Sequence, residues 1–155
     1  MNPLDQLLAI DQIKQLKARY FRCMDTKDWT GLRAVFCDDA EFDARASLSL
    51  DGSGEGAAAE SNDWIYCGGD VIANFVRDTV TPLRTVHHGH CHEIEIQSDT
   101  EARGVIAMED RVWELESGAP VLHGCGHYHE TYRCEDGTWR IATSRLTRIY
   151  LALGS

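Results

Sequence analysis

The stretch "GGDVIANFVRDTVTPLRTVHHGHCHEIEIQS", residues 68–98, changes period in its middle. Up to Val80 the apolar residues Val71, Ile72, Phe75 and Val76 recur at helical intervals behind Asp70, a residue type suited to opening a helix. From Leu83 onward the pattern is that of a strand, ending in the alternation of Ile94 and Ile96 with Glu93 and Glu95. The rest of the chain sorts around this switch. After it come only strand patterns, "EARGVIAMEDRVWELE", "VLHGCGHYHETYRCE" and "WRIATSRLTRIYLAL", joined at Ser98-Asp99, Ser117-Gly118 and Asp136-Gly137, turn chemistry that favours antiparallel hairpins. Before it come mostly helices. Residues 3–24 carry Leu4, Leu7, Leu8, Ile13, Leu16, Tyr20 and Phe21 at helical spacing, with Asp5 and Asp11 as candidate caps, and read as one or two helices. "TKDWTGLRAVF" continues with Trp29, Leu32, Val35 and Phe36 on one stripe behind Thr26 and Asp28, predicting a second helix that ends near Cys37. "CDDAEFDARASL" then alternates like a half-buried strand. Helices first and a meander afterwards predict an α+β layer, a curved sheet with helices on one side and a cavity between the layers.

Residues 49–63, "SLDGSGEGAAAESND", are too small and polar to bury much surface and read as a mobile insertion within a single domain spanning 1–155. At 43% hydrophobic and 26% charged, the 155 residues have the composition of an ordinary globular domain. A formal charge of −10 argues against nucleic acid and anionic membrane surfaces as partners. No apolar run approaches the ~18 residues needed to cross a bilayer. The six cysteines form no C-x-x-C pair and no signal-peptide pattern is visible, so reduced thiols and a cytoplasmic location are expected.

All seven histidines lie between His87 and His129 on two predicted strands. Such a density raises a metal site, but same-face neighbours on a strand stand about 7 Å apart, too far for several to share one ion unaided, and no metal is expected. The alternative is a single histidine as proton carrier, its tautomer fixed by a carboxylate. Asp25 is a candidate for that carboxylate or for a helix cap.

"MDTKDWTGLR", "LRTVHHGHCHEIEI" and "GHYHETYRCEDGTWRI" resemble segments of the SnoaL-like family of the nuclear transport factor 2-like superfamily, in its scytalone dehydratase, hexachlorocyclohexane dehydrochlorinase and bile acid 7α-dehydratase group. The resemblance covers nearly the whole chain outside the insertion. It implies a cone-shaped, curved mixed or antiparallel sheet packed against about three N-terminal helices around an apolar cavity. It further implies a homodimer or higher homo-oligomer, a small apolar or cyclic organic ligand and no cofactor. The family's aspartate falls on Asp25 and its histidine on His87, with Tyr20 at the spacing of a tyrosine in the bile acid enzyme. Because five helical residues turn about 140° past a full turn, bringing Tyr20 to Asp25 predicts a break near Met24. Met24, Gly126 and Tyr128 depart from scytalone dehydratase, and Tyr20 from the dehydrochlorinase, so the dyad carries over and neither substrate does.

A regular strand would place His87 opposite the face of Ile94 and Ile96, so either a bulge at Gly89 brings His87 inward or His88 is the pocket residue. His88, Trp113, Tyr128 and Arg145 are candidate substrate-binding residues, with Arg148 a further inward candidate. Trp29 and Phe75 read as core, and Trp64 and Tyr66 as a possible lid. The expected activity is a cofactor-independent dehydratase-type lyase or isomerase abstracting a proton from a polyketide-, terpenoid- or steroid-like substrate. The alternative is a non-catalytic hydrophobic-ligand-binding or dimerisation domain of the same fold.

Overall fold

The computed structural model describes residues 1–48 and 62–154. Of the expected insertion, residues 49–61 lie outside the described residues. The chain opens on one continuous helix, α1 (Pro3–Asp25). Its cap is Asn2, whose side chain accepts from the Asp5 amide at 2.9 Å, and Pro3 follows at a position where no amide hydrogen is needed. Asp5 and Asp11 are therefore interior residues of the helix rather than its caps. Ile13, Leu16, Tyr20, Phe21 and Met24 are buried, but Leu4, Leu7 and Leu8 stand exposed.

The short helix α2 (Trp29–Ala34) is capped by Asp28, which accepts from the Gly31 amide at 2.9 Å. It ends before Cys37, because Phe36 already begins strand β1 (Phe36–Asp43). A 3-10 turn (Asn62–Trp64) leads into β2 (Ile65–Cys67), a strand the sequence pattern did not reveal. Tyr66 there stacks on Phe75 with ring centroids 3.8 Å apart. Helix α3 (Gly69–Val80) starts from Gly68, whose φ of 101° favours glycine, and Asp70 in its first turn pairs with Arg33 at 2.7 Å.

Four long strands follow: β3 (Leu83–Ile96), β4 (Glu101–Glu114), β5 (Pro120–Glu135) and β6 (Thr138–Leu153). The tightest hairpin turns through Asp136 and Gly137, both at positive φ (51° and 75°), the conformation that matches strand twist. The sheet order is β2-β1-β6-β5-β4-β3, with β1 parallel to β6 and every other pair antiparallel. It is a mixed, unclosed sheet with β2 and β3 as its edges. Its inner face, packed against the helices, carries Ile106 and Met108 from β4, Tyr128 and Tyr132 from β5, and Leu146 from β6. No helix among the described residues is long and apolar enough to cross a membrane.

One irregularity decides what faces inward. Between Gly89 and His92 the β3–β4 register slips: Gly89 opposes Met108 and His92 opposes Ile106, so three steps on β3 span two on β4. This bulge lets His87 and Gly89 share the inner face with Ile94 and Ile96, as the alternating burial of β3 shows.

Candidate active site

Asp25 is the last residue of α1, and the chain reverses immediately after it. The Thr26 amide bonds back to the Arg22 carbonyl at 2.9 Å, and Lys27 takes a positive φ of 61°. The Lys27 ammonium then donates to the carbonyls of Val80 at 2.8 Å and Leu83 at 2.6 Å, tying the start of β3 to the end of α1. This fastening brings Asp25 against β3. Its carboxylate accepts from the Thr85 hydroxyl at 2.8 Å, from the His87 backbone amide at 2.8 Å, and lies 2.6 Å from His87 Nδ1. A carboxylate so close assigns the proton to Nδ1 and leaves the Nε2 lone pair available. Asp25 is a partner of His87, and the capping role belongs to Asp28.

The imidazole is held from a second direction. Phe21, one turn before Asp25 on the same side of α1, lies parallel to the His87 ring within 9° at a centroid distance of 6.0 Å. Gly89 makes room for it: a Cβ there would come within 2.6 Å of the Phe21 ring. The His87 side chain is only 8% exposed and that of Asp25 21%.

Tyr20 does not reach the site by the predicted break, because α1 runs unbroken through Met24. It leaves the helix on a neighbouring side and packs edge-on against Phe21, Phe36 and Tyr128 at 5.4–5.9 Å. Burial pushes the hydroxyl pKa of both Tyr20 and Tyr128 well up, so each remains a proton-bearing hydrogen-bond donor at neutral pH. Beneath them sits a fully buried ion pair, Lys17 and Glu130 at 2.6 Å, whose ammonium lies 3.5 Å from the Tyr128 ring centroid and 4.0 Å from that of Tyr20. Tyr132 and Ser144 donate to the same carboxylate at 2.7 and 2.9 Å. Burial lowers the Lys17 pKa, with Glu130 opposing that shift. Directly across from His87 on β4 stands Asp110, bound through both oxygens by Arg148 at 2.7 and 2.8 Å. Arg148 also donates to the Ser47 carbonyl at 2.8 Å.

The structure thus brings Asp25, His87, Tyr20, Tyr128 and Arg148 to the helix-covered face. It does not bring Trp113 or Arg145 there. Trp113 lines a shallow recess with Arg111 and His123 on the outer face, and Arg145 is exposed opposite His129. His88 is exposed at the open edge of β3, where it borders the same recess as Asp25 and His87. The bulge divides the histidines that a regular strand would have aligned. His88 and His90 stay outside with ring centroids 6.3 Å apart, and Glu109 accepts from His123 at 2.9 Å. Among the described residues the donors close enough to share an ion are Cys37, Asp39 and Glu135, and Arg133 already occupies both carboxylates. Thr85, Asp110, Lys17 and Glu130 escaped the sequence reading. The last three carried a signal, a charged residue at an apolar position of its element: Asp110 between Met108 and Val112, Glu130 between Tyr128 and Tyr132, Lys17 between Ile13 and Tyr20.

The sequence model of the SnoaL-like domain matches residues 5–145. The chain belongs to the SnoaL-like family. A relative from Gibberella zeae named "Probable cyclase FGR4" is 24% identical over 146 residues, 91% of each chain. Among solved structures, a hexachlorocyclohexane dehydrochlorinase, LinA type 2, superposes with a TM-score of 0.79 at 18% identity over 99% of this chain and 94% of its own. A scytalone dehydratase-like protein of Novosphingobium aromaticivorans gives 0.78 at 19% identity over 96% and 89%. At these identities the structures establish the cone-shaped nuclear transport factor 2-like fold for this SnoaL-like chain.

Proposed function

We propose that this SnoaL-like protein is a cofactor-independent lyase of the dehydratase type, or an isomerase, acting on a small apolar cyclic substrate of polyketide, terpenoid or steroid kind. The carrying observation is the 2.6 Å contact between Asp25 and His87 Nδ1, which leaves Nε2 as a base held in one orientation. Nε2 takes a proton from carbon, and Asp25 steadies the imidazolium that results. The electron pair left on carbon moves into a new double bond. In a dehydration a hydroxyl then leaves with a returned proton, and in an isomerisation the proton is delivered to another carbon. Tyr20, backed by Tyr128, donates a hydrogen bond to the oxygen on which charge develops. Relatives named for a cyclase and a dehydrochlorinase support chemistry on cyclic organic molecules. The outer sheet face, where Val86 and Tyr150 are exposed, is the surface on which a second copy would pack.

The test joins turnover to a spectroscopic readout. Positioned acid-base catalysis contributes about 10² to 10⁴ in rate, so Asp25→Asn should lose most of that factor towards a cyclic ketone or alcohol that the wild type converts. In nitrogen-15 spectra the wild-type His87 should be the Nδ1-H tautomer, and Asp25→Asn should lose that fixed state. Full turnover in the variant, or an Nε2-H wild-type tautomer, overturns the assignment. Unchanged recovery of bound ligands with no product in any case would favour a ligand-binding role.

A further inference from the structure

Helix α1 and the edge strand β3 leave between them a recess of about 310 Å³ into which both Asp25 and His87 open. That volume lies at the lower end of the ~300–1,000 Å³ typical of small-ligand sites. Along α1 it is walled by Lys14, Ala18, Phe21, Arg22 and Asp25, one side of the helix at three- and four-residue spacing. Along β3 the wall is His87, His88, Gly89 and His92. Ala18 and Gly89 contribute almost no side-chain bulk, which keeps the groove open.

Its charge runs against that of the rest of the molecule. The protein carries a net charge of −10, yet this recess is lined by two permanent cations and three histidines, with Asp25 its single carboxylate. The side chains of Lys14 and Arg22 make no ion pair or hydrogen bond among the described residues. Elsewhere Arg33, Arg103, Arg111, Arg133 and Arg148 all grip carboxylates. With acidic residues in such excess, a lysine and an arginine left without one beside the dyad form a ready anion subsite. At 1.5 Å per helical residue, Arg22 lies about 4.5 Å and Lys14 about 16 Å along α1 from Asp25. Arg22 is therefore the cation within reach of a ring system placed at His87, and Lys14 stands about 12 Å farther along the helix.

We propose that the recess is a substrate subsite and that the substrate is an apolar cyclic molecule bearing a carboxylate, gripped by Arg22 while its ring system reaches His87, with Lys14 adding positive potential farther along the groove. A guanidinium fork binds a carboxylate through two parallel hydrogen bonds, and the lysine adds a second charge deeper along the groove. This deepens the reading of Asp25 and His87 as a catalytic pair, and rests on it for the word substrate.

The experiment compares binding of 2-naphthoate with that of its uncharged counterpart 2-acetylnaphthalene, followed by amide shifts of His87, His88 and Gly89. The wild type should bind the carboxylate at least about tenfold more tightly, a preference that shrinks with added salt. Lys14→Gln/Arg22→Gln, two exposed replacements, should bind the two probes equally. Asp25→Asn should retain or increase the preference, since it removes the single opposing charge. Equal binding by the wild type, a preference that survives the double replacement, shifts confined to another part of the protein, or no binding of either probe at millimolar concentration would each overturn the proposal. Binding needs no turnover. A carboxylate preference in a protein whose Asp25→Asn variant is fully active would therefore sink the catalytic pair and leave the anion subsite standing.

Discussion

Lys17 and Glu130 are both wholly buried, and two charges taken out of water are seldom a net gain over apolar side chains of the same shape. Their value to this molecule is local: the ammonium lies against the faces of Tyr20, Phe21 and Tyr128, and so fixes the rings that surround the proposed hydroxyl donor. Lys17→Met strands a buried carboxylate and should cost about 3–5 kcal/mol in urea unfolding, whereas Lys17→Met/Glu130→Leu should recover most of the loss. A single replacement that leaves stability unchanged would mean that water reaches Glu130. Gly89→Ala tests the other support. Its Cβ would come within 2.6 Å of the Phe21 ring, so the ring must move away from His87, at about 1–3 kcal/mol. The His87 ring-proton shifts, which report the stacked Phe21, should move with it. Asp25 and His87 were legible as a pair only through the resemblance of their segments to the SnoaL-like family, since periodicity alone left Asp25 as a cap or a carboxylate and His87 or His88 as the inward histidine. Lys17 was not, although it sits on the apolar stripe of α1, because a lone lysine in a helix reads as solvated until its surroundings are known.

At the level of elements, the α1–β3 contact depends on one extra residue. Three steps along β3 from Gly89 to His92 span two on β4, and that surplus reconciles an inward His87 with inward Ile94 and Ile96. Deleting Cys91, an exposed residue within the bulge, would leave Gly89, His90 and His92 opposite Met108, Ala107 and Ile106 one to one, a regular strand that keeps His87, Ile94 and Ile96 on the same face. The expected outcome is a folded amide spectrum with His87 still protected from solvent and shifts confined to residues beside the deletion. Loss of the folded spectrum, or a solvent-exposed His87, would show that Cys91 is not the surplus residue that reconciles the two halves of β3. The period change after Val80 and the hairpin signals at Ser117-Gly118 and Asp136-Gly137 made the helices and the four-strand meander readable. β2 was not readable, since three residues are too few to show a period. The break expected near Met24 does not occur, for a different reason. That break is needed only if Tyr20 and Asp25 meet directly, whereas β5 and β3 supply their partners separately.

For the whole molecule, acid should act in two stages. Burial depresses the pKa of His92, with Lys14 adding to it, and burial also depresses that of His129 beside His127 and Arg145. A histidine with a lowered folded pKa contributes stability that is present above its unfolded value near 6.5 and is lost as pH falls through the folded value. Arg45 holds the Asp43 carboxyl below its usual range, and Arg111 with His123 does the same for Glu109. For these carboxylates the stabilisation is present above about 4 and is lost below it, because the unfolded chain takes up protons first. A net charge of −10 works the other way, since self-repulsion relaxes as pH falls towards the pI of 5.0. That long-range repulsion is screened at high salt, whereas the partly buried local pairs are screened much less. In about 0.5 M salt, where the Debye length is only a few ångströms, Tm should therefore be level near pH 7–9, decline gently below about 6.5 and fall steeply below about 4.5. In dilute buffer the alkaline arm should sag. His92→Gln/His129→Gln should remove the gentle decline and leave the steep one. If the double variant still lost Tm between pH 6.5 and 5, the two depressed residues would not govern the gentle decline.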